Sequence, residues 1–251
     1  MTQDPITVII LSRNRPLYLW ACLDSLYSYT RHPARFVLVD NASDDPGVRD
    51  VVRGFERRGM FDVVEWHDRN DPKRAMDAIR RHGDGDRFVY VESDVMITHT
   101  APCWLSRMST ILTDHPELGY LGSYVDQRDF VAPEDGPDLL PGASEAEIAH
   151  MLKSHSPERG LPRMPPRNQT LIDPFNPPGR LLMVRTSILP RMVFGNDGQI
   201  YRHAKAQGIG VAITPRVKHR HLSLLNVYDY PDYDTEARNR HRDANTDPVP
   251  M

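Results

Sequence analysis

The chain holds only two cysteines in 251 residues, Cys22 and Cys103, too few for a disulfide framework. Both fall in stretches that read as helix, so buried free thiols in a reducing compartment are expected. No apolar run reaches the ~18 residues that a membrane span needs. The start, MTQDPITVII, is too short and too acidic for a secretion signal, and the chain is read as cytoplasmic. In that setting the acceptor sequon Asn168-Gln169-Thr170 carries no meaning. Nor is there an excess of charge of one sign: the net charge of -3 gives no electrostatic reason to expect nucleic acid or an anionic membrane as partner. No internal repeat is present, and nothing bears on oligomeric state.

What is present is alternation. Ile6 to Leu11 is a continuous apolar, β-branched run, read as a buried strand that ends in the turn Ser12-Arg13-Asn14-Arg15-Pro16. Residues 17–29 place Leu19, Cys22, Leu23 and Leu26 at helical spacing. A second buried strand, Phe36 to Val39, stops at Asp40-Asn41-Ala42-Ser43-Asp44-Asp45. Helix is expected over 48–58, strand over 62–66, helix over 73–82 and strand over 87–91, the last ending in Glu92-Ser93-Asp94. Polar clusters at the carboxyl ends of alternating strands point to an α/β fold with a doubly wound, mostly parallel sheet that binds ligands beyond those ends.

The second half is less regular. Helix is expected over 104–112, strand over 120–125, strand over 179–184, helix over 199–207, and a last strand from Val211 that extends toward His221. Between them lies a proline-rich excursion, 126–178, too long for an ordinary connection. Its one predicted helix is opened by the capping box Ser144-Glu145-Ala146-Glu147. These readings give a single domain over 1–223, with a nucleotide-binding half (1–95), a loop-rich acceptor-side half (96–223) and a polar tail (224–251).

Chemistry is concentrated at the strand ends. Glu92 and Asp94 are two residues apart where a strand leaves the sheet, so both point to the same side. A hard divalent cation takes oxygen ligands and accepts diphosphate oxygens beside them. The bland alternative is a solvated acidic strand cap. Asp40 can accept from a base N–H or a ribose hydroxyl, or it can serve only as a turn former.

Taken in order, the Ser12–Pro16 turn, the segment Val39-Asp40-Asn41-Ala42-Ser43-Asp44-Asp45 and the strand ending at Asp94 resemble the family 2 glycosyltransferases and their GT-A relatives. The resemblance runs on through Trp104-Leu105, Gly179 to Arg185, Asn196-Asp197 and Pro215 to His221, covering roughly 6–223. It implies a Rossmann-like GT-A fold and an inverting, metal-dependent transfer from a nucleotide-diphosphate sugar donor to an acceptor hydroxyl, on a glycan or another molecule. The resemblance further implies that Ser12, Arg13 and Arg15 line the base and diphosphate side of the donor pocket, and that Asp40 recognises base or ribose. Glu92 and Ser93 would approach the ribose, Asp94 and His219 would meet Mn²⁺ or Mg²⁺, and Asp197 would be the catalytic base, with Asp173 or Asp126 as its alternatives. His221 shares the strand parity of His219, and the choice between them stays open, as does a plain surface role for either. Two departures from the family pattern stand out. Pro72 replaces an expected glycine in Asn70–Asp77, leaving Arg74 or Lys73 to reach a phosphate, and the metal motif begins with Glu92 instead of Asp.

Two other function classes compete. A sugar nucleotidyltransferase calls for a glycine-rich basic loop after the first strand, and this turn has no glycine. A non-catalytic binding module on the same fold is kept open by the altered 70–77 segment.

Overall fold

The computed structural model describes residues 4–126, 136–139, 142, 144–146, 168–173, 180–193 and 197–222. The chain divides into two compact units, Met1–Arg128 with Glu158–His221, and Asp129–Pro157 with Leu222–Met251. In the second unit a one-turn helix, α5 (Gly136–Leu139), is described. The helix expected from the Ser144 capping box lies outside the described residues beyond Ala146.

The first unit is built on an eight-stranded sheet. Its strands are β1 (Ile6–Ser12), β2 (Ala34–Asp40), β3 (Val63–Trp66), β4 (Arg87–Glu92), β5 (Val95–Ile97), β6 (Leu118–Val125), β7 (Leu181–Arg185) and β8 (Gly210–His221), in the spatial order β3-β2-β1-β4-β7-β6-β8-β5. β3, β2, β1 and β4 pair in parallel, as do β6 and β8, while β7 and β5 run antiparallel to their neighbours. This is the mostly parallel α/β sheet expected from the alternation.

Buried on both faces, the central strands read as unbroken apolar runs. Val8 and Ile10 of β1 pack against α1 (Pro16–Tyr29), α2 (Pro46–Glu56) and α4 (Trp104–Asp114), through Leu19, Leu23, Val48, Val52, Leu105 and Met108. Ile9, between them, faces the opposite layer: α3 (Arg74–His82), a 3₁₀ segment (Thr186–Arg191) and α6 (Asp197–Ala206). The strand and helix ends fall within about two residues of those expected, an ordinary spread. β5 and the 3₁₀ segment were not expected. Cys22 and Cys103 are both buried and free, with Cys103 at the N-cap of α4 and not inside it. Among the described residues no helix is long and apolar enough to cross a membrane.

One cation ties β7 to the end of α4 and the start of β6. α4 has no basic residue in its own last turn, and Arg185 of β7 supplies one. Its Nη2 donates to the carbonyls of Leu112 and His115 (3.2 Å to the latter), and its Nε donates to that of Leu118 at 2.8 Å. A guanidinium fits this task because its donors form a rigid fork. Arg185→Met keeps the bulk but strands three partly buried acceptors. It should cost about 2–4 kcal/mol, read as a lower urea midpoint with unchanged slope; an unchanged midpoint would show that water serves those carbonyls equally well.

Candidate active site

The parallel strands end side by side, with Ser12, Asp40 and Trp66 in register, and the turns that follow them are laced together. Asn14 Oδ1 accepts from the backbone N–H groups of Asp44 and Asp45 (2.9 and 3.3 Å), while the Asn14 N–H donates to Ser43 Oγ at 2.6 Å. Ser43 in turn donates to both oxygens of Asp40, from its N–H at 2.8 Å and from its hydroxyl at 2.5 Å. Three non-glycine residues here hold positive φ: Asn14 (52°), Arg15 (56°) and Ala42 (64°). Asn tolerates that region, but Arg and Ala adopt it only where neighbours over-determine the backbone, and the Asn14–Ser43–Asp40 lacing does so. Asp40 is buried, and its carboxylate serves the turn.

Asn41 clamps the next loop. Its side-chain amide donates to Asn70 Oδ1 (2.8 Å) and the Asp71 carbonyl (3.1 Å), and its Oδ1 accepts from the Asp71 N–H at 2.9 Å. Arg74 Nε stands 3.5 Å from the same oxygen. The segment that departs from the family pattern at Pro72 is therefore anchored to the end of β2. In the sequence Asn41 stands only as part of the Val39–Asp45 segment; its partners Asn70 and Asp71 lie some thirty positions away and are brought to it by the fold.

The densest electrostatics surround Asp94, in the turn between β4 and β5. Its Oδ2 lies 3.3 Å from His221 Nε2 and 3.6 Å from Arg15 Nη1. Burial alone would raise its pKa, but His221, Arg180 and Arg15 hold the carboxyl well below the usual carboxylate range. Oδ1 is buried and makes no hydrogen bond. Arg180, unnoticed in the sequence, precedes β7, and its carbonyl accepts from the Glu92 N–H at 2.8 Å.

From Arg216 on, β8 alternates, with Val217, His219 and His221 buried and Arg216 and Arg220 exposed. Of its two histidines, the structure brings His221 to Asp94. The Nδ1 of His219 shares a 2.6 Å hydrogen bond with Ser123 Oγ, and its Nε2 is buried without a partner. Burial, with Arg180 and His221 nearby, pushes the His219 pKa down to about 3, so its ring is neutral at neutral pH.

Of the remaining expected residues, Ser12 is buried with an unpartnered Oγ, Arg13 is exposed, and Glu92 and Ser93 are partly buried beside Asp94. Asp197 is the first residue of α6 and not a residue ahead of it, and its side chain lies outside the described residues. Asp173 is exposed and faces Lys205 Nζ at 3.4 Å. Asp126 follows β6, its N–H donating to the His219 carbonyl at 2.9 Å.

Residues 7–160, spanning this lacing and the Asp94 turn, match the model of the family described as glycosyl transferase family 2. The chain belongs to that family. Solved structures agree on the fold of this family 2 member. They include a mannosyltransferase from Pyrobaculum calidifontis in complex with GDP-Man and Mn²⁺ (TM-score 0.55, 18% identity, 96% of this chain and 61% of that one). GalNAc-T7 with UDP, GalNAc and Mn²⁺ is another (0.57, 12%, 86% and 43%), as is TarS from S. aureus in complex with UDP-GlcNAc (0.55, 16%, 88% and 61%). The family 2 chain thus spans less than two thirds of each. At these identities the likeness is one of fold, the GT-A fold. No curated protein sequence matches it.

Among the described residues no three His, Cys, Asp or Glu side chains stand close enough to hold a metal ion by themselves. The fit to a divalent ion rests on Asp94, whose Oδ1 is buried without a partner, and on His221 beside it. Such a set suits Mn²⁺ or Mg²⁺ only where substrate oxygens complete the shell, the usual arrangement for phosphate-bound ions.

Proposed function

We propose that this family 2 chain transfers a sugar from a nucleotide-diphosphate donor to an acceptor hydroxyl, with a divalent ion at Asp94 and inversion at the anomeric carbon. The observation that carries this reading is the Asp94 turn, where a carboxylate with one unused buried oxygen is ringed by Arg15, Arg180 and His221 at the ends of parallel strands. Solved structures of the same fold include ones holding GDP-Man with Mn²⁺ and UDP with Mn²⁺.

In this reading a bound Mn²⁺ or Mg²⁺ supplies positive charge against the departing diphosphate. Asp94 and His221 would hold the ion from the protein side, and Arg15 would face the diphosphate. Arg13 and the unpartnered Ser12 hydroxyl extend the donor side of the pocket, and Arg74, placed by Asn41, reaches a phosphate. Glu92 and Ser93 approach the ribose. Asp40, committed to Ser43, meets base or ribose only with its remaining lone pairs, and its larger contribution is to fix the loop. Asp197 takes the acceptor proton.

A thermal-shift screen of UDP, GDP, ADP and CDP with and without Mn²⁺ tests the donor half of this. One nucleotide should raise the midpoint with Mn²⁺ and much less without it, since a ligand that binds only the folded state stabilises it, by about 2.7 kcal/mol at 100 times its Kd. No shift with any nucleotide would sink the donor reading. A Mn²⁺-dependent shift with no donor hydrolysis or transfer would favour a binding module on the same fold.

A further inference from the structure

The outer face of β8 builds something else. Opposite His219 and His221, the strand presents Arg216 and Lys218, which with Arg107 of α4 line an open cleft of about 830 Å³. A cleft of this size lies within the ~300–1,000 Å³ of small-molecule sites. The Thr98–Ala101 segment forms another wall, and Asp114 and Asp126 also reach the lining.

Three features define what this cleft suits. First, among the described residues none of Arg107, Arg216 and Lys218 forms an ion pair, so three cations share one concavity with two carboxylates, Asp114 and Asp126, and positive charge is in excess. Arg107 is positioned by its own hydrogen bond, Nη2 to the Ala101 carbonyl at 2.7 Å. Second, the lining is rich in acceptors. Thr98 and Thr100 donate their hydroxyl protons to the carbonyls of Lys218 and Thr98 (3.0 and 3.3 Å), which leaves oxygen lone pairs for a ligand's own O–H groups. Asp114 accepts likewise, and with Asp126 it opposes a ligand that is anionic along its whole length. Third, the lining has no Phe, Tyr or Trp on which a base could stack, and the chain's net charge is -3.

A ligand that satisfies all three features carries scattered negative charge and many hydroxyl donors. We propose that this cleft binds an acidic oligosaccharide, a glycan with carboxylate-bearing sugars, as a second glycan site on the far side of β8 from Asp94. The site stands on its own residues and does not rest on the donor assignment.

Titration calorimetry on the full chain tests this with the tetramers of galacturonate, alginate and hyaluronan, against maltotetraose as a neutral glycan and polyphosphate as an anion without hydroxyls. At least one acidic tetramer should bind, and maltotetraose and polyphosphate should bind at least ~10-fold more weakly. Binding of that tetramer should fall at least ~10-fold in Arg216→Gln/Lys218→Gln and weaken with added salt. Both substitutions lie on the outer face of the strand, and the nucleotide and Mn²⁺ shifts measured in the same variant should match the unaltered protein. Failure of all three acidic tetramers, equal binding by polyphosphate or maltotetraose, or unchanged binding in the double variant would each overturn the proposal. A chain that binds an acidic tetramer but no nucleotide would keep this site and lose the transferase reading instead.

Discussion

Asp94→Asn is expected to remove the Mn²⁺-dependent part of nucleotide affinity and to lower sugar transfer by about 1,000-fold, since metal stabilisation of a developing charge is worth several kcal/mol. The reason lies in the asymmetry of the carboxylate: Oδ2 faces His221 and Arg15, while Oδ1 is buried and unused. Asparagine keeps the shape but offers an N–H where a cation needs a lone pair. The variant should also be less stable. A carboxyl held below its unfolded pKa stabilises the fold above about pH 4 and loses that contribution as pH falls through its folded value. Removing the charge at neutral pH discards this contribution outright. Affinity must therefore be measured well below the variant's melting temperature. Asp94→Glu separates the two effects, because it keeps the charge but lengthens the arm. It should recover most of the stability and little of the Mn²⁺ response. Equal Mn²⁺ enhancement in Asp94→Asn and the unaltered protein would remove Asp94 from the metal site.

The parts of this fold legible in the sequence are those governed by local rules. Ile6–Ser12 and Ala34–Asp40 are buried on both faces, so they appear as unbroken apolar runs, and the polar clusters that stop them mark the sheet edge where the site lies. β5 escaped because three residues, Val95–Ile97, are too few to show a period. It is a strand only because it pairs with β8, a contact more than a hundred residues away. Parity alone put His219 and His221 on one face. Which of them reaches Asp94 depends on how that long-range pairing is registered, and the answer, His221, needed coordinates. Arg180 was invisible for the same reason: it meets Asp94 through antiparallel pairing of β7 with β4. Asp40 illustrates the converse. The turn-forming chemistry of the Asp40-Asn41 pair is readable in the sequence, and in the structure both Asp40 carboxylate oxygens go to Ser43.

Asp197→Asn is expected to lower transfer by at least ~100-fold, in the range of general-base loss, with donor affinity and melting temperature nearly unchanged. An inverting displacement needs a carboxylate on the sugar face opposite the leaving diphosphate, within reach of the acceptor hydroxyl. Asp197 opens α6 (Asp197–Ala206), in the layer that covers the opposite face of the sheet from α1 and α2. Helix N-termini favour anions in general. The competing role is that of an acidic first-turn residue, worth ~0.3–1 kcal/mol through the helix dipole and no chemistry. Asparagine separates these roles because it cannot take a proton. If Asp197 only steadies the helix, the variant transfers at close to the original rate with at most a slightly lower melting temperature. In that case Asp126 is the better second choice. Asp173 is exposed and held against Lys205, whereas Asp126 sits beside His219 at the end of β6. A bell-shaped rate profile that loses its acidic limb in Asp197→Asn, with the alkaline limb intact, would tie the proton transfer to this carboxylate; an unchanged profile would move the search to Asp126.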